Sequence, residues 1–472
     1  MTKSTSRVHP AGDVAVQMQV KRRRLRVATL AAGFSLFALY LAWHAWHDPQ
    51  SQHQDELPIT QAIAQDASSD QAVAVAGPDL VKRGEYLARA GDCVACHTAD
   101  KSRPYAGGLP IATPFGTIYT PNITPDPDTG IGQWSDAEFL RAMHEGIGKS
   151  GERLYPAFPY VEYTRVTDQD VLAIRAYLNT LAPVHYTPPR NDLKFPFNQR
   201  WLMTFWNLVN FTEGRFVPDP KQSAELNRGA YLVLGLAHCE ECHTPRNFMQ
   251  GLKSSDRLSG AVQAGWHAFN ITPDKNSGIG NWSDDELVSY LSTGVAPGRA
   301  NAAGPMAEVV TDSTQYLNDE DLHAIVAYLR SVPPVSGGEA RPRDQWGKPA
   351  DDVTALRGQT ITSVNGAQLF IANCATCHNW TGQGVGASAP GAYPSLVHNS
   401  VAGASDANNL AMVILHGVNR TTKQADVLMP AFGDQLTDDQ VAAITNYVTR
   451  QFGNPQSTVT VDQIAKLRAQ QQ

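Results

Sequence analysis

The sequence predicts a mainly α-helical chain of three tandem units behind an N-terminal apolar segment, on three observations. All six cysteines fall into three copies of one pattern, Cys93-Val94-Ala95-Cys96-His97, Cys239-Glu240-Glu241-Cys242-His243 and Cys374-Ala375-Thr376-Cys377-His378. A second motif, Ile123-Thr124-Pro125-Asp126 through Gly130-Ile131-Gly132 to Trp134-Ser135-Asp136, recurs as Ile271-Thr272-Pro273-Asp274 through Gly278-Ile279-Gly280 to Trp282-Ser283-Asp284. Such self-similarity marks the first two units as duplicates, and the third shares the plan without this insert. Finally, each cysteine motif stands between two stretches of helical apolar periodicity. A length of 472 residues exceeds one core and suits about three domains.

Residues 1–26 form a basic N-terminus ending in Lys21-Arg22-Arg23-Arg24-Leu25-Arg26, and residues 27–46 are apolar and free of Asp, Glu, Lys and Arg. The apolar stretch is either a membrane anchor or a secretion signal. Its length suits a bilayer span, and a small-x-small cleavage site is not convincing near Leu41 to His47, which favours an anchor. Trp43 and Trp46 would sit at the outer interface. Either way, the positive-inside rule puts the basic end in the cytoplasm and the rest on the periplasmic side of the inner membrane. Residues 47–78, rich in Gln, Asp, Ser and Ala, read as a flexible tether.

The units span 79–186, 222–333 and 359–453. Each opens with a helix carrying a glycine and large apolar residues: Gly84, Tyr86 and Leu87; Gly229, Tyr231 and Leu232; Gly366, Leu369 and Phe370. Each closes with a second helix, Thr167 to Leu178, Asn318 to Leu329 and Thr437 to Val448, where Thr167, Asn318 and Thr437 are N-cap residues and Gln440 completes a capping box. Ile174, Tyr177 and Leu178 recur as Ile325, Tyr328 and Leu329 and as Ile444, Tyr447 and Val448 on one face, which should pack on the opening helix. The tyrosines read as core aromatics. Residues 187–221, unusually aromatic between Phe195 and Phe216, form a connector that is either a docking surface for a protein or bilayer, or an internal interface. Residues 334–358 read as an ordinary surface linker, and the tail 454–472 contains a short polar helix.

Cys-x-x-Cys-His is a covalent c-type haem attachment motif. Two thiols one helical turn apart can add to the two vinyl groups of a haem, and the next histidine then lies beneath the iron. Zinc fits poorly, since each cluster offers three ligands where a structural zinc takes four. Cys93, Cys96, Cys239, Cys242, Cys374 and Cys377 thus hold three haem c groups, with His97, His243 and His378 on the irons, and no cysteine remains for a disulfide. Methionine is the usual second axial ligand of such carriers. Gly294 to Met306 is the same step as Gly417 to Met429, which nominates Met306 and Met429, each in a loop before the closing helix. The same step from Gly146 lands on Phe158, and Val166 has no sulfur either. The first site is therefore five-coordinate or recruits Met143, His144, His185 or Met203. Met143 occupies a core position, and His144 is the better substitute on exposure.

Two crossed helices with a haem between them resemble the class I cytochrome c fold, so the fold class is mainly α, with three tandem class I cytochrome c domains after an N-terminal membrane-anchor or signal helix. Gly91 to Thr98, His238 to Asn247, Gly304 to Glu308 and Met429 to Phe432 together resemble the triheme cytochrome c subunits of membrane-bound bacterial dehydrogenases acting on alcohols, gluconate, aldehydes or sugars. The resemblance spans nearly the whole chain after the tether. It implies an electron-transfer subunit rather than a catalyst, taking electrons from a flavin or quinoprotein catalytic subunit and passing them to ubiquinone or a terminal oxidase. Phe158, where a methionine is often found, and the anchor-like N-terminus depart from that pattern. A molybdenum hydroxylase partner, a carrier role ending at an oxidase, and a haem enzyme with an open first iron remain alternatives. The net charge of −7, with no basic run after the N-terminus, argues against a nucleic-acid partner. No nucleotide-binding loop or hydrolytic triad is present.

Overall fold

The computed structural model describes residues 77–352, 364–385 and 393–470. The basic run, the apolar segment and nearly all of the tether lie outside them, and among the described residues no helix is long and apolar enough to cross a membrane.

In the first unit, helix α1 (Pro78–Ala90) leads into a one-turn helix at Cys93–Cys96, followed by hairpin β1 (Pro110–Thr113) and β2 (Gly116–Tyr119). Helices α2 (Asp136–Glu145) and α3 (Asp168–Leu178) complete it. Strand β3 (Asp192–Leu193) adds to β2 antiparallel, with Gly116 opposite Leu193, and α4 (Leu202–Asn210) follows. The second unit repeats the plan: α5 (Ala224–Tyr231), hairpin β4 (Ala261–Gln263) and β5 (Trp266–Ala268), α6 (Asp284–Thr293), a small hairpin β6 (Val295–Ala296) and β7 (Ala300–Asn301), α7 (Pro305–Asp312) and α8 (Asp319–Ser331). In the third, α9 (Gly366–Asn373), α10 (Asn408–His416), hairpin β8 (Val418–Thr421) and β9 (Asp426–Met429), α11 (Asp438–Phe452) and α12 (Val461–Arg468) complete the chain.

Opening and closing helices pack as α1 on α3, α5 on α8 and α9 on α11, as the apolar periodicity predicts. One glycine makes each crossing possible. A Cβ on Gly84 would lie 1.8 Å from the carbonyl oxygen of Ala173, one on Gly229 1.9 Å from that of Ala324, and one on Gly366 2.1 Å from that of Ala443. The closing helices start where their caps dictate: Thr167 accepts from the Asp170 N–H, Asn318 from that of Asp321, and the Gln440 Oε1 accepts from the Thr437 N–H at 3.0 Å. The third runs a turn beyond Val448, to Phe452.

The second unit has ten residues from its crossing glycine to its first cysteine, Gly229 to Cys239, where the first has nine, Gly84 to Cys93. A π-helical turn at Leu232–Leu236 takes up the extra residue, the usual consequence of one insertion in an α-helix.

One core joins the first two units, packing Leu87, Ile174 and Leu178 with Leu232, Leu236, Ile325 and Leu329. A second core belongs to the third unit but takes in Trp266 of the second. The tail helix α12 is amphipathic, with Ile464 and Leu467 buried in this core.

Two expectations are corrected, and one left open is narrowed. Tyr86 and Tyr231 are not plain core aromatics: the Tyr231 hydroxyl donates to Asp170 at 2.5 Å and the Tyr86 hydroxyl to Asp321 at 2.6 Å, each reaching the other unit. The linker 334–358 is embedded over its described part, because Arg343 and Asp344 are buried and Ala350 enters the third core. Its Gly347 lies so close to the Phe452 carbonyl that a Cβ there would meet it at 1.9 Å. In the aromatic connector Trp206 is buried, but Phe195, Trp201, Phe205, Leu208 and Val209 are 57–80% exposed, so most of this surface is outward.

Candidate haem-attachment sites

Each Cys-x-x-Cys-His motif occupies a single helical turn directly after an opening helix. A left-handed or near-left-handed residue aims the turn in two of them, Asp92 at φ 52° and His238 at φ 37°. Cys96 and Cys242 are exposed, while burial pushes the thiols of Cys93, Cys239 and Cys374 up to about 12. This is the reverse of the lowered thiol pKa of redox-active or zinc-binding pairs, and the cysteines form no disulfide.

The three histidines share one geometry that the sequence did not announce. The Nδ1 of His97 lies 2.7 Å from the Pro121 carbonyl oxygen, that of His243 2.6 Å from Phe269, and that of His378 2.9 Å from Pro394. A carbonyl only accepts, so Nδ1 carries the proton and Nε2 keeps its lone pair, the arrangement that orients a metal-ligating imidazole. The backbone carbonyl of each histidine is clamped as well, accepting from the N–H of Gly107, Gly260 and Gly384 at 2.8, 2.7 and 2.9 Å. All three glycines have positive φ, 73°, 95° and 73°, which a side chain would oppose. These residues fit a haem held through two thioethers and a neutral imidazole at each motif.

The first two motifs lie close together. The Asp92 carboxylate acts on the thiols of both Cys96 and Cys242, and α7 packs against the Cys93–Cys96 turn. Between them Tyr163 donates to the Gly91 carbonyl at 3.0 Å and stacks edge-on against His238. Glu162, fully buried, has its pKa driven well up by burial and then by the neighbouring Glu241 carboxylate.

Met306 and Met429 are both half-buried, but neither lies in a loop. Met306 is the second residue of α7, beside Tyr290 and Val310, and Met429 ends β9, opposite Val418. Their register has a common origin in the glycines Gly294 and Gly417, which cap α6 and α10 at φ 75° and 73°. In the first unit Gly146 caps α2 likewise at φ 63°. There Phe158 packs against the Tyr163 ring at 5.5 Å, and Val166 is fully buried in the core. Of the substitutes considered, Met143 is a core residue, His185 is exposed, and Met203 lies on α4. His144 is not exposed as expected but 1% accessible, because the last turn of α2 packs on the start of α3 and turns its Nδ1 towards Asp168 at 3.6 Å.

The family model for cytochrome c matches residues 81–182 and 363–451. The fructose dehydrogenase cytochrome subunit of Gluconobacter japonicus is 44% identical over 405 residues, 82% of each chain. The gluconate 2-dehydrogenase cytochrome c subunit of Pantoea cypripedii is 39% identical over 422 residues, 86% of this chain and 92% of that one. A nicotinate dehydrogenase subunit of Pseudomonas putida is 42% identical over 374 residues, 79% of this chain but 30% of that larger one. With the clamped Cys-x-x-Cys-His turns, these likenesses establish that the chain belongs to the family of cytochrome c subunits of bacterial dehydrogenases.

Proposed function

We propose that the protein is a periplasmic, membrane-attached triheme cytochrome that relays electrons from a dehydrogenase catalytic subunit to ubiquinone or a terminal oxidase. The carrying observation is the threefold repetition of one imidazole geometry, Nδ1 on a carbonyl and Nε2 free. Haem c at each motif supplies reversible one-electron chemistry, while the chain fixes position, burial and axial ligands. Cys93 and Cys96, Cys239 and Cys242, and Cys374 and Cys377 hold the three groups. His97, His243 and His378 would ligate their irons, and Met306 and Met429 would supply a thioether to those of the second and third units. The nearness of the first two motifs supports direct transfer between those two groups.

Membrane attachment draws support from the acid-free stretch 193–212, whose charged residues are Lys194 and Arg200 alone. Its exposed Phe195, Trp201, Phe205 and Leu208 suit the headgroup boundary of an anionic leaflet. The electron donor is read as the catalytic subunit of an alcohol, sugar or sugar-acid dehydrogenase. A hydroxylase of the molybdenum type remains the alternative donor, and the likeness to the nicotinate dehydrogenase chain adds nicotinate to the substrates to be tried. Phe158 against Tyr163 favours a second reading for the first group alone, an iron left open on its far side.

The test is the native complex isolated from membranes and mixed with fructose, gluconate, ethanol or nicotinate. Reduction of the haem absorbance by one of these substrates supports the relay and names the donor; bands that stay oxidised with all of them, yet reduce with dithionite, contradict this choice of donors. Carbon monoxide binding to a third of the ferrous haem supports the open first iron, and no binding removes it.

A further inference from the structure

Among the described residues Arg420 is the largest of the fully buried side chains, 1% exposed, and it reaches out of its own unit. It projects from β8 of the third unit beneath the C-terminal cap of α6 in the second, so close that a Cβ on Gly294 would lie 2.5 Å from its Nε. Its Nη1 donates to the Ala302 carbonyl at 2.6 Å, while Nε and Nη2 are buried with no partner. Among the described residues no carboxylate pairs with it. Stripping a guanidinium of water without a counter-ion costs several kcal/mol, so its surroundings call for an anion.

Three more groups converge on the same place. Arg343, buried in the linker, lies over the Phe269 ring at 4.3 Å from its centroid, and Phe269 is the residue whose carbonyl orients His243. Its Nη1 donates to the Ser277 carbonyl and its Nε has no partner. The carboxylates near it are engaged elsewhere, Asp344 by Arg299 at 2.6 Å, Asp406 by His267 at 2.6 Å and Glu339 by the Ser277 hydroxyl. Both guanidiniums act on the Tyr290 phenol, and Tyr290 packs in the same small cluster as Met306. The Trp266 Nε1 is buried without an acceptor, its ring pressed under Gly304, two residues before Met306.

We propose that Arg420, with Arg343 beside it, is the counter-cation for the propionate carboxylates of the haem attached at Cys239 and Cys242, so that the third unit completes the binding site of the second. The inference rests on the haem reading above. A guanidinium fork matches a carboxylate with two parallel hydrogen bonds, and a haem carries two carboxylates along one edge. Tyr290 and the Trp266 N–H supply further donors to the same edge. The arrangement explains why Gly294, beyond its cap role, tolerates no side chain.

The test is potentiometric titration of the full-length holo-chain, after peptide mass mapping has shown a porphyrin on each motif. R420Q should lower one of the three midpoint potentials by at least a tenfold change in the ferric-to-ferrous ratio, about 59 mV for one electron, and leave the other two in place. The shifted transition should also acquire a pH dependence, since the stranded propionate now titrates. R420K, which keeps the charge and loses the fork, should shift the same transition less. Should R420Q not accumulate with haem, R420K decides alone: a shift of one transition supports the proposal, and unmoved potentials overturn it. R420M provides the opposite control. A guanidinium without an anion would be replaced with unchanged potentials and a higher Tm, which overturns the proposal, whereas a lowered potential supports it. A second motif without porphyrin would sink the haem reading itself, and three intact haems with unmoved potentials sink this inference alone.

Discussion

The joint between the first and second units is built by exchange, and the joint between the second and third by insertion. At the first, Arg83 pairs with Asp170 within its own unit and Arg228 with Asp321 within its own, at 2.6 and 2.7 Å, while each aspartate also receives a tyrosine hydroxyl from the other unit. The same hydroxyls accept from the Thr167 and Asn318 N–H groups at 3.2 Å. Each of these bonds thus has a counterpart, as in an isologous interface between two copies, although Arg165 donates singly to the Leu234 carbonyl at 2.9 Å and Ser313 to that of Ala90 at 3.3 Å. The third unit has Gln368 where the others have Tyr86 and Tyr231, and Gln440 where they have Asp170 and Asp321. Its joint is not built of such pairs. His267 pairs with Asp406, Asn409 brackets the His267 backbone at 2.7 and 2.8 Å, and Arg420 enters the second unit, while Trp266 of the second enters the third core and the Gln315 Nε2 donates to the Thr421 carbonyl at 3.1 Å. The difference teaches that duplication gave a joint with a paired centre, whereas the third unit was fitted through contacts that have no mirror partner.

Breaking the exchange should have the largest effect. Asp321→Ala strands Arg228 and the Tyr86 hydroxyl together, and should cost about 3 kcal/mol, at the low end for a broken buried pair because the Arg228 side chain is 35% exposed. Asp170→Ala should match it if the joint is symmetric, and calorimetry of the holo-chain checks both. Burial alone would raise the Asp321 pKa, but the hydrogen bonds from Arg228 and Tyr86 outweigh it and hold the group below the usual range. Its stabilisation is therefore present above the ordinary carboxylate pKa of about 4 and is lost as pH falls through the lower folded value. Asp321→Ala should flatten the acid limb of the stability curve in that window.

Tyr86→Phe and Tyr231→Phe come next, at about 1.5–3 kcal/mol each for a hydrogen bond to a charged group, and near-equal losses in Tm would sharpen the comparison. Glu162→Gln acts in the other direction. Because burial raises the Glu162 pKa, its contribution is present at low pH and fades as pH rises through the folded value. The variant should match the parent in acid and exceed its Tm in alkali, and equal curves throughout would refute the buried acid. The smallest effect is expected at the surface pair Arg468 and Asp438, whose side chains are each 30% exposed. Asp438→Asn should change Tm by less than an ion pair of about 1 kcal/mol allows.

Much of this was legible in the sequence. The caps at Thr167, Asn318 and Thr437, the apolar stripe through Ile174, Ile325 and Ile444, and the glycines of the opening helices all carry local signals, and the helices stand where those signals put them. What escaped lacks any local signal. The exchanged tyrosines read as core residues because periodicity reports a face and is silent on what the hydroxyl at its rim meets. The linker read as surface because Pro, Gly and charge are common there, although Arg343 and Asp344 are buried by partners far away in sequence. The carbonyls of Pro121 and Phe269 directly precede the repeated run of Asn122 to Asp126 and Asn270 to Asp274, but Pro394 has no such run beside it, and a repeat does not say which backbone oxygen meets an imidazole. The extra residue before Cys239, by contrast, could have been counted, and it is the one signal that foretells the π-turn.

The central claim is that every Cys-x-x-Cys-His turn carries a porphyrin. Mass mapping of peptides from the mature chain, after extraction of free pigment, tests it most directly. Each of the peptides containing Cys93 with Cys96, Cys239 with Cys242, and Cys374 with Cys377 should be heavier than its amino acids by one haem, with no thiol open to alkylation. A motif peptide at its bare polypeptide mass, with two alkylable thiols, would contradict the account at that site.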